Sequence, residues 1–307
     1  MIGTQAAFTQ ALSYLKSNQT IVIEEIYNFL NLVTPEEVAA NGSDSLIEFI
    51  AESVHENEVR IHGKILYALS SVPSSRIKQA FSSTIKKLYL DYSNKDLSLY
   101  LYSSNNYLDH KLSIISELPN LEEIVIDGYG GSLQELAELE NLRVLDIRNY
   151  QSPDWLSFSA MRSLESLTSL KLSSTDSWPT FSELKYFPNL ERLSLLSHAS
   201  MDLDHQVIDS ISEVKQLKHM HIAVLGKSSS WPNLASLGGL NHLKTLEISS
   251  DSDFEDIYGF DELHQLEKLV INLVSKINIS QALLSQIEIF CPNCLVEINE
   301  GWDEAQW

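Results

Sequence analysis

Two histidines one residue apart, His219 and His221 in the stretch "LKHMHI", are the side chains best suited to do chemistry in this chain. Imidazoles at that spacing can hold a metal, move a proton or simply line a strand. Joined by Glu247, they would make a His-His-Glu set of the kind that binds zinc and activates water. The only two cysteines, Cys291 and Cys294, stand in a C-P-N-C arrangement that would suit redox chemistry or half a zinc site. A second cysteine pair to complete such a site is missing. There is no G-x-S-x-G and no H-E-x-x-H, and "GYGGS" at 128–132 lacks the Lys-Ser/Thr that follows a phosphate loop. No catalytic residue and no cofactor is therefore expected, with a metal-dependent enzyme at His219, His221 and Glu247 as the remote alternative.

What surrounds the histidines decides between these roles, and what surrounds them is a repeat. "LPNLEEIVI" starts at Leu118, "LENLRVLDI" at Leu139, "LESLTSLKL" at Leu164, "FPNLERLSL" at Phe187, "VKQLKHMHI" at Val214, "LNHLKTLEI" at Leu240 and "LHQLEKLVI" at Leu263. The starts are 21, 25, 23, 27, 26 and 23 residues apart. The pattern L-x-x-L-x-x-L-x-L extends backwards by two more steps of three, as in Ile208 and Ile211 before Val214. Seven repeats with six frame positions give 42 sites, all apolar in a chain that is 44% hydrophobic. The L-x-L end alternates like a short strand, while steps of three suit a 3₁₀ or α turn buried on one side. One unit cannot bury its own apolar face, but stacked units share a core.

On these residues the chain resembles the leucine-rich-repeat proteins of the short, internalin-like type, over at least residues 112–298. The resemblance implies an α/β solenoid, a horseshoe with a parallel concave sheet. It also implies an asparagine column three residues past the last strand position. Here that column reads Tyr129, Tyr150, Thr175, His198, Leu225, Asp251 and Val274, so the turns must find their hydrogen bonds elsewhere.

The ends differ from the array. Residues 1–80 read as a helical N-terminal module or cap, from apolar residues at helical spacing in "QAAFTQALSYLK", "IVIEEIYNFLNLV", "SDSLIEFIAESV" and "RIHGKILYALSSV". Residues 81–111 read as a degenerate first repeat, with Ile85, Leu88 and Leu90 in strand spacing, followed by a capping hairpin at "DLSLYLY". The array of about seven full repeats plus a C-terminal cap spans 112–298, with Cys294 in the slot that leucine fills in "FPNL". Residues 299–307 form an acidic tail carrying Trp302 and Trp307, which folds back on the last repeat or stays free. Trp155, Trp178, Trp231 and Phe254 share one column, twelve residues before a strand leucine, and read as packing residues.

The formal charge is −21, and residues 245–307 hold thirteen acids against two bases. Such a surface repels nucleic acid and anionic membranes and attracts basic proteins. No apolar run reaches the roughly 18 residues of a membrane span, and the N-terminus has no secretory pattern, so a cytoplasmic location is expected. Strand alternation turns Asp127, Asp146, Arg148, Lys171 and Arg192 out of the concave sheet, together with His219, His221, Glu247 and Lys268. These are the expected partner-binding residues, with Asp251, Asp253, Glu255 and Asp256 as an acidic pole. The expected function is a non-enzymatic protein-binding module for a basic protein, in its most concrete form an immunity or antitoxin protein. A regulatory scaffold or adaptor for an enzyme complex is the alternative.

Overall fold

A computed structural model describes residues 47, 51, 58–62, 74–81, 85–91, 115–128, 133–150, 158–161, 163–174, 181–197, 205–225, 234–251, 259–274, 281–290 and 292–303. The chain divides into two compact units, 1–142 and 143–307. Each is built from the repeat, and in each the frame explains the elements.

In the first unit, β1 (Glu58–His62), β2 (Lys87–Asp91) and β3 (Glu123–Asp127) run parallel in that order. The helix α1 (Ser74–Phe81) precedes β2 and buries Ile77 and Phe81. β1 corrects the reading of residues 1–80 as helical. "EVRIH" buries Val59 and Ile61 on one side, which is the period of a strand. Its L-x-L-like ending pairs in register with β2, Val59 opposite Leu88 and Ile61 opposite Leu90. A helical pattern that counts Ile61 with the apolar residues after it misses this short alternation. Of the proposed helix "SDSLIEFIAESV", Ile47 and Ala51 are described and both are helical. The other proposed N-terminal helical segments before β1, residues 63–73 and the hairpin at 96–102 fall outside the described residues. Ile85, Leu88 and Leu90 are buried frame positions.

The second unit contains β4 (Val144–Tyr150), β5 (Ser169–Ser174), β6 (Arg192–Ser197) and β7 (His219–Val224), then β8 (Thr245–Ser250), β9 (Lys268–Leu273) and β10 (Leu295–Glu300). Successive strands are hydrogen-bonded neighbours, parallel throughout. From β5 to β10 the register is continuous, so each repeat's frame residues stack on those of the next. Two further helices belong to this unit, α2 (His205–Ile211) and α3 (Gln281–Phe290). The burial of 39 of the 42 frame positions is described, and none of these is more than 6% exposed. Burying each such leucine or isoleucine contributes about 1.5–3 kcal/mol.

The steps of three have a direct hydrogen-bond basis. Leu136, Leu139 and Leu142 donate their amides to Leu133, Leu136 and Leu139 in turn. The same chain runs through Phe181, Leu184, Phe187 and Leu190, and through Leu234, Leu237, Leu240 and Leu243. Each frame residue thus bonds to the preceding frame residue in an i→i+3 pattern, which is 3₁₀ geometry.

Neighbouring repeats are tied at the strand entrance. One carbonyl accepts two amides from the next repeat: Thr168 O from Glu191 and Arg192, Glu191 O from Lys218 and His219, Lys218 O from Lys244 and Thr245. A side-chain amide one residue before the second frame leucine adds a further bond. Asn189 Nδ2 donates to Glu165 O at 2.8 Å, Gln216 Nε2 to Phe187 O at 2.5 Å and Asn141 Nδ2 to Pro119 O at 2.8 Å. This amide series supplies inter-repeat bonds of the kind the missing asparagine column would have made. Exposed ion pairs follow the same path, Lys218–Glu191 at 2.6 Å and Lys244–Glu267 at 2.7 Å, each worth at most about 1 kcal/mol.

Cys294 is a second correction. β10 pairs Val296 with Leu269 and Ile298 with Ile271, which places Asn293 in the leucine slot and Cys294 one residue beyond it. Cys294 is accordingly half-buried rather than a core residue. The tryptophan and phenylalanine column lies outside the described residues.

These energies set a measurable contrast. Ile222→Ala is expected to cost about 2–5 kcal/mol in urea unfolding because it opens a cavity in the frame. Asn189→Ala removes one exposed bond and should cost about 1 kcal/mol. Equal costs would contradict the division between frame and ladder.

Candidate functional site

The strands that bury the frame on one side must present the intervening residues on the other. In the second unit this open sheet face carries three rows across the strands. The row at the strand starts reads Ser169, Arg192, His219, Thr245, Lys268 and Leu295. The middle row reads Lys171, Ser194, His221, Glu247, Val270 and Glu297. The third reads Ser173, Leu196, Ala223, Ser249, Asn272 and Asn299.

The first row is open. Arg192 is exposed, and His219 and Lys268 are partly exposed. Burial and then the neighbouring Arg192 guanidinium push the His219 imidazole below its usual range. Lys268 Nζ reaches Glu297 of β10 at 2.8 Å.

The middle row is tighter than alternation alone suggests. Asp146 was expected to face a partner, yet it is only 5% exposed. Arg148 holds its Oδ2 through Nε at 2.9 Å and Nη2 at 2.6 Å. Its other oxygen, Oδ1, is buried without a hydrogen-bond partner. Beside this pair the ammonium of Lys171 is pushed down, first by burial, with Asp146 opposing that push. In the first unit Asp127 accepts a hydrogen bond from Tyr89 Oη at 3.0 Å.

His221 sits at the head of a polar relay. Asn299 Nδ2 donates to Asn272 Oδ1 at 2.9 Å. Asn272 Nδ2 donates to Glu247 Oε1 at 2.5 Å and to Ser249 Oγ at 3.1 Å. Ser249 Oγ lies 2.8 Å from His221 Nε2. Since Ser249 accepts from Asn272, its own hydroxyl proton is left to donate to a neutral imidazole. Glu247 Oε1 is 3.8 Å from the same nitrogen and already accepts from Asn272, so it does little to favour an imidazolium. Burial, followed by the positive Lys171, pushes the His221 imidazole down to about 3. Among the described residues no group of three or more His, Cys, Asp or Glu side chains is arranged to hold a metal ion. His219 and His221 share β7, and Glu247 stands opposite His221 on β8.

The third row is covered from Leu196 to Asn272, while Asn299 is exposed. Leu196, Ala223, Ser249 and Asn272 are each no more than 3% exposed. Trp302 packs on Leu196 and Ala223, with Leu225 and Val274 beside it. Its ring stands edge-on to the His221 imidazole, with centroids 6.1 Å apart at 84°. The tail reaches this place by a reversal at Gly301, whose φ of 76° is left-handed and suits glycine. The Trp302 amide then donates to Leu273 O at 3.0 Å. The sequence offered a folded tail as one of two options but no signal for its seat. The signal was present in the asparagine column, where Leu225 and Val274 are apolar and turn toward the indole. Of the acidic pole, Asp251 is half-buried, while Asp253, Glu255 and Asp256 fall outside the described residues.

The burial of His221 has a pH signature. The unfolded chain takes up a proton at this residue near pH 6.5, whereas the folded chain does so only near pH 3. The stability this burial contributes is present above 6.5 and declines as pH falls from 6.5 toward 3. The His221 ring resonances should therefore stay those of a neutral imidazole from pH 8 to pH 5. A titration midpoint near 6.5 would refute the buried placement.

A scan against protein-family models finds no match, and no curated protein matches the chain in sequence. Among solved structures it is similar to internalin C2 of Listeria monocytogenes, at 19% identity over 60% of this chain and 74% of that one, with a TM-score of 0.37. It is also similar to the internalin inlF of the same species, at 14% identity over 90% and 97%, with a TM-score of 0.36. A third similarity is to a chain in the Toll–Spatzle complex of Drosophila, at 14% identity over 72% and 28%, with a TM-score of 0.48. The 39 buried frame positions and the parallel one-strand-per-repeat register carry the assignment of the fold by themselves: it is that of a leucine-rich-repeat protein.

Proposed function

We propose that this chain is a non-enzymatic protein-binding module that uses its open sheet face and its acidic C-terminal end to hold a protein with a basic surface. The observation that supports this reading most directly is the open face of the second unit. Its first two rows form a shallow, polar, mixed-charge lattice whose spacing is imposed by the buried frame. A preorganised surface of this kind loses little side-chain freedom on binding. Small-molecule sites, by contrast, are concave and mostly apolar.

Charge supports the choice of partner. Residues 245–307 carry a net −11 of the chain's −21. Asp261, Glu262, Glu267, Glu288, Glu300 and Asp303 are all exposed. Such a pole accelerates encounter with a basic protein and disfavours acidic ones. The concrete form we favour is an immunity or antitoxin protein that masks a basic toxin, such as a nuclease, in the cytoplasm.

Capture of the partner by immobilised chain should fall at least about tenfold between 0.05 and 0.5 M salt, because screening shortens the range of exposed charges. Arg192→Glu, on the open row, should change capture by a similar factor without altering the unfolding transition. Binding indifferent to both salt and Arg192→Glu would rule the reading out.

A further inference from the structure

Trp302 marks a place on the open face that differs from everything around it. Along the third row the residues are Ser173, Leu196, Ala223, Ser249, Asn272 and Asn299, so only Leu196 and Ala223 are apolar, and they are adjacent on β6 and β7. Leu225 and Val274 extend this patch beyond the strand ends. To the side of the patch lies the His221 ring, roughly perpendicular to the Trp302 indole. Together these groups form an apolar seat, and the Trp302 side chain occupies it. Trp302 is 7% exposed there.

The occupant is flanked in sequence by acids. Glu300 and Asp303 flank Trp302, and Glu304 follows. In sequence they add to the stretch 245–307, which carries a net −11. An aromatic residue flanked by lysine or arginine would keep the packing and reverse the sign of the charge interaction.

We infer that the seat formed by Leu196, Ala223, Leu225 and Val274 is the anchor site for an aromatic side chain of a basic protein partner, and that Trp302 holds it in the free chain. Buried aromatics are the usual anchors of protein interfaces. A tethered occupant acts as a competitor at millimolar effective concentration, so it screens out weak ligands and yields to a partner that is better matched. This inference rests on the proposed reading of the open face as the partner surface.

The test uses dye-labelled nine-residue peptides and the full-length chain, read by fluorescence anisotropy. One peptide has the tail sequence NEGWDEAQW, and a second has its three acids replaced by lysine, NKGWKKAQW. The lysine peptide should bind Trp302→Ala at least about tenfold more tightly than it binds the native chain, because the internal competitor is gone. It should also bind Trp302→Ala more tightly than the tail peptide at 0.05 M salt, with the gap closing by 0.5 M. Replacing its first tryptophan with alanine should weaken binding at least about tenfold. Leu196→Ser added to Trp302→Ala should do the same. Should that double variant fail to fold by circular dichroism, Ala223→Lys in the same background gives the equivalent reading.

Equal affinity for the native chain and Trp302→Ala overturns the inference, as does indifference to the first tryptophan or to the seat substitutions. The two proposals fail separately. A peptide that ignores the seat while partner capture still responds to Arg192→Glu removes the seat alone. A peptide that obeys the seat while capture ignores Arg192→Glu removes the reading of the face, and with it the partner's use of the seat.

Discussion

A single repeat of this chain presents six apolar side chains and has nowhere of its own to put them. Only the repeat before and the repeat after can cover them, and that mutual burial is the constraint on which the rest of the structure depends. It explains why the 3₁₀ segments step by three, since each frame amide bonds the preceding frame carbonyl while its side chain turns inward. It also explains why strands from β5 to β10 share one register. A slip by a single residue would turn a whole row of leucines into water and a row of charges into the core.

The same constraint creates the functional surface. Once Met220 and Ile222 are committed to the core, His219 and His221 must point the other way. Their neighbours across the sheet are then fixed as Arg192 and Ser194 on one side and Thr245 and Glu247 on the other. The face is therefore a lattice whose geometry is set by hydrophobic burial and whose chemistry is free to vary. In this chain that chemistry divides by row. The strand starts remain open, the middle holds the Asp146–Arg148 pair and the His221 relay, and Leu196 and Ala223 at the strand ends lie beneath Trp302.

Sequence periodicity reveals the frame because the pattern is strict and repeats seven times. It also reveals which residues leave the core. It does not reveal whether a residue that leaves the core reaches solvent. Asp146 and Asn272 alternate outward just as Arg192 does, yet both are buried. Asp146 is closed off with Arg148, two residues along, and Asn272 is bound to Glu247, Ser249 and Asn299 on neighbouring strands. Cys294 shows a different limit: the last repeat slips by one residue against the consensus, and only strand pairing exposes the slip. β1 shows a third, since five residues of alternation carry little weight beside longer helical patterns. Trp302 was the least legible feature, because its partners come from β6, β7 and the turns after β7 and β9.

The account stands on the division of the open face into an accessible polar lattice and an apolar seat filled by the tail. The most direct measurement is a nuclear Overhauser experiment on the free chain with selectively labelled tryptophan, leucine and alanine. The Trp302 indole should show cross-peaks to the Ala223 methyl and the Leu196 methyls, and the Ala223 methyl should be shifted upfield by the ring. A Trp302 indole with random-coil shifts and no contact to either methyl would contradict the account.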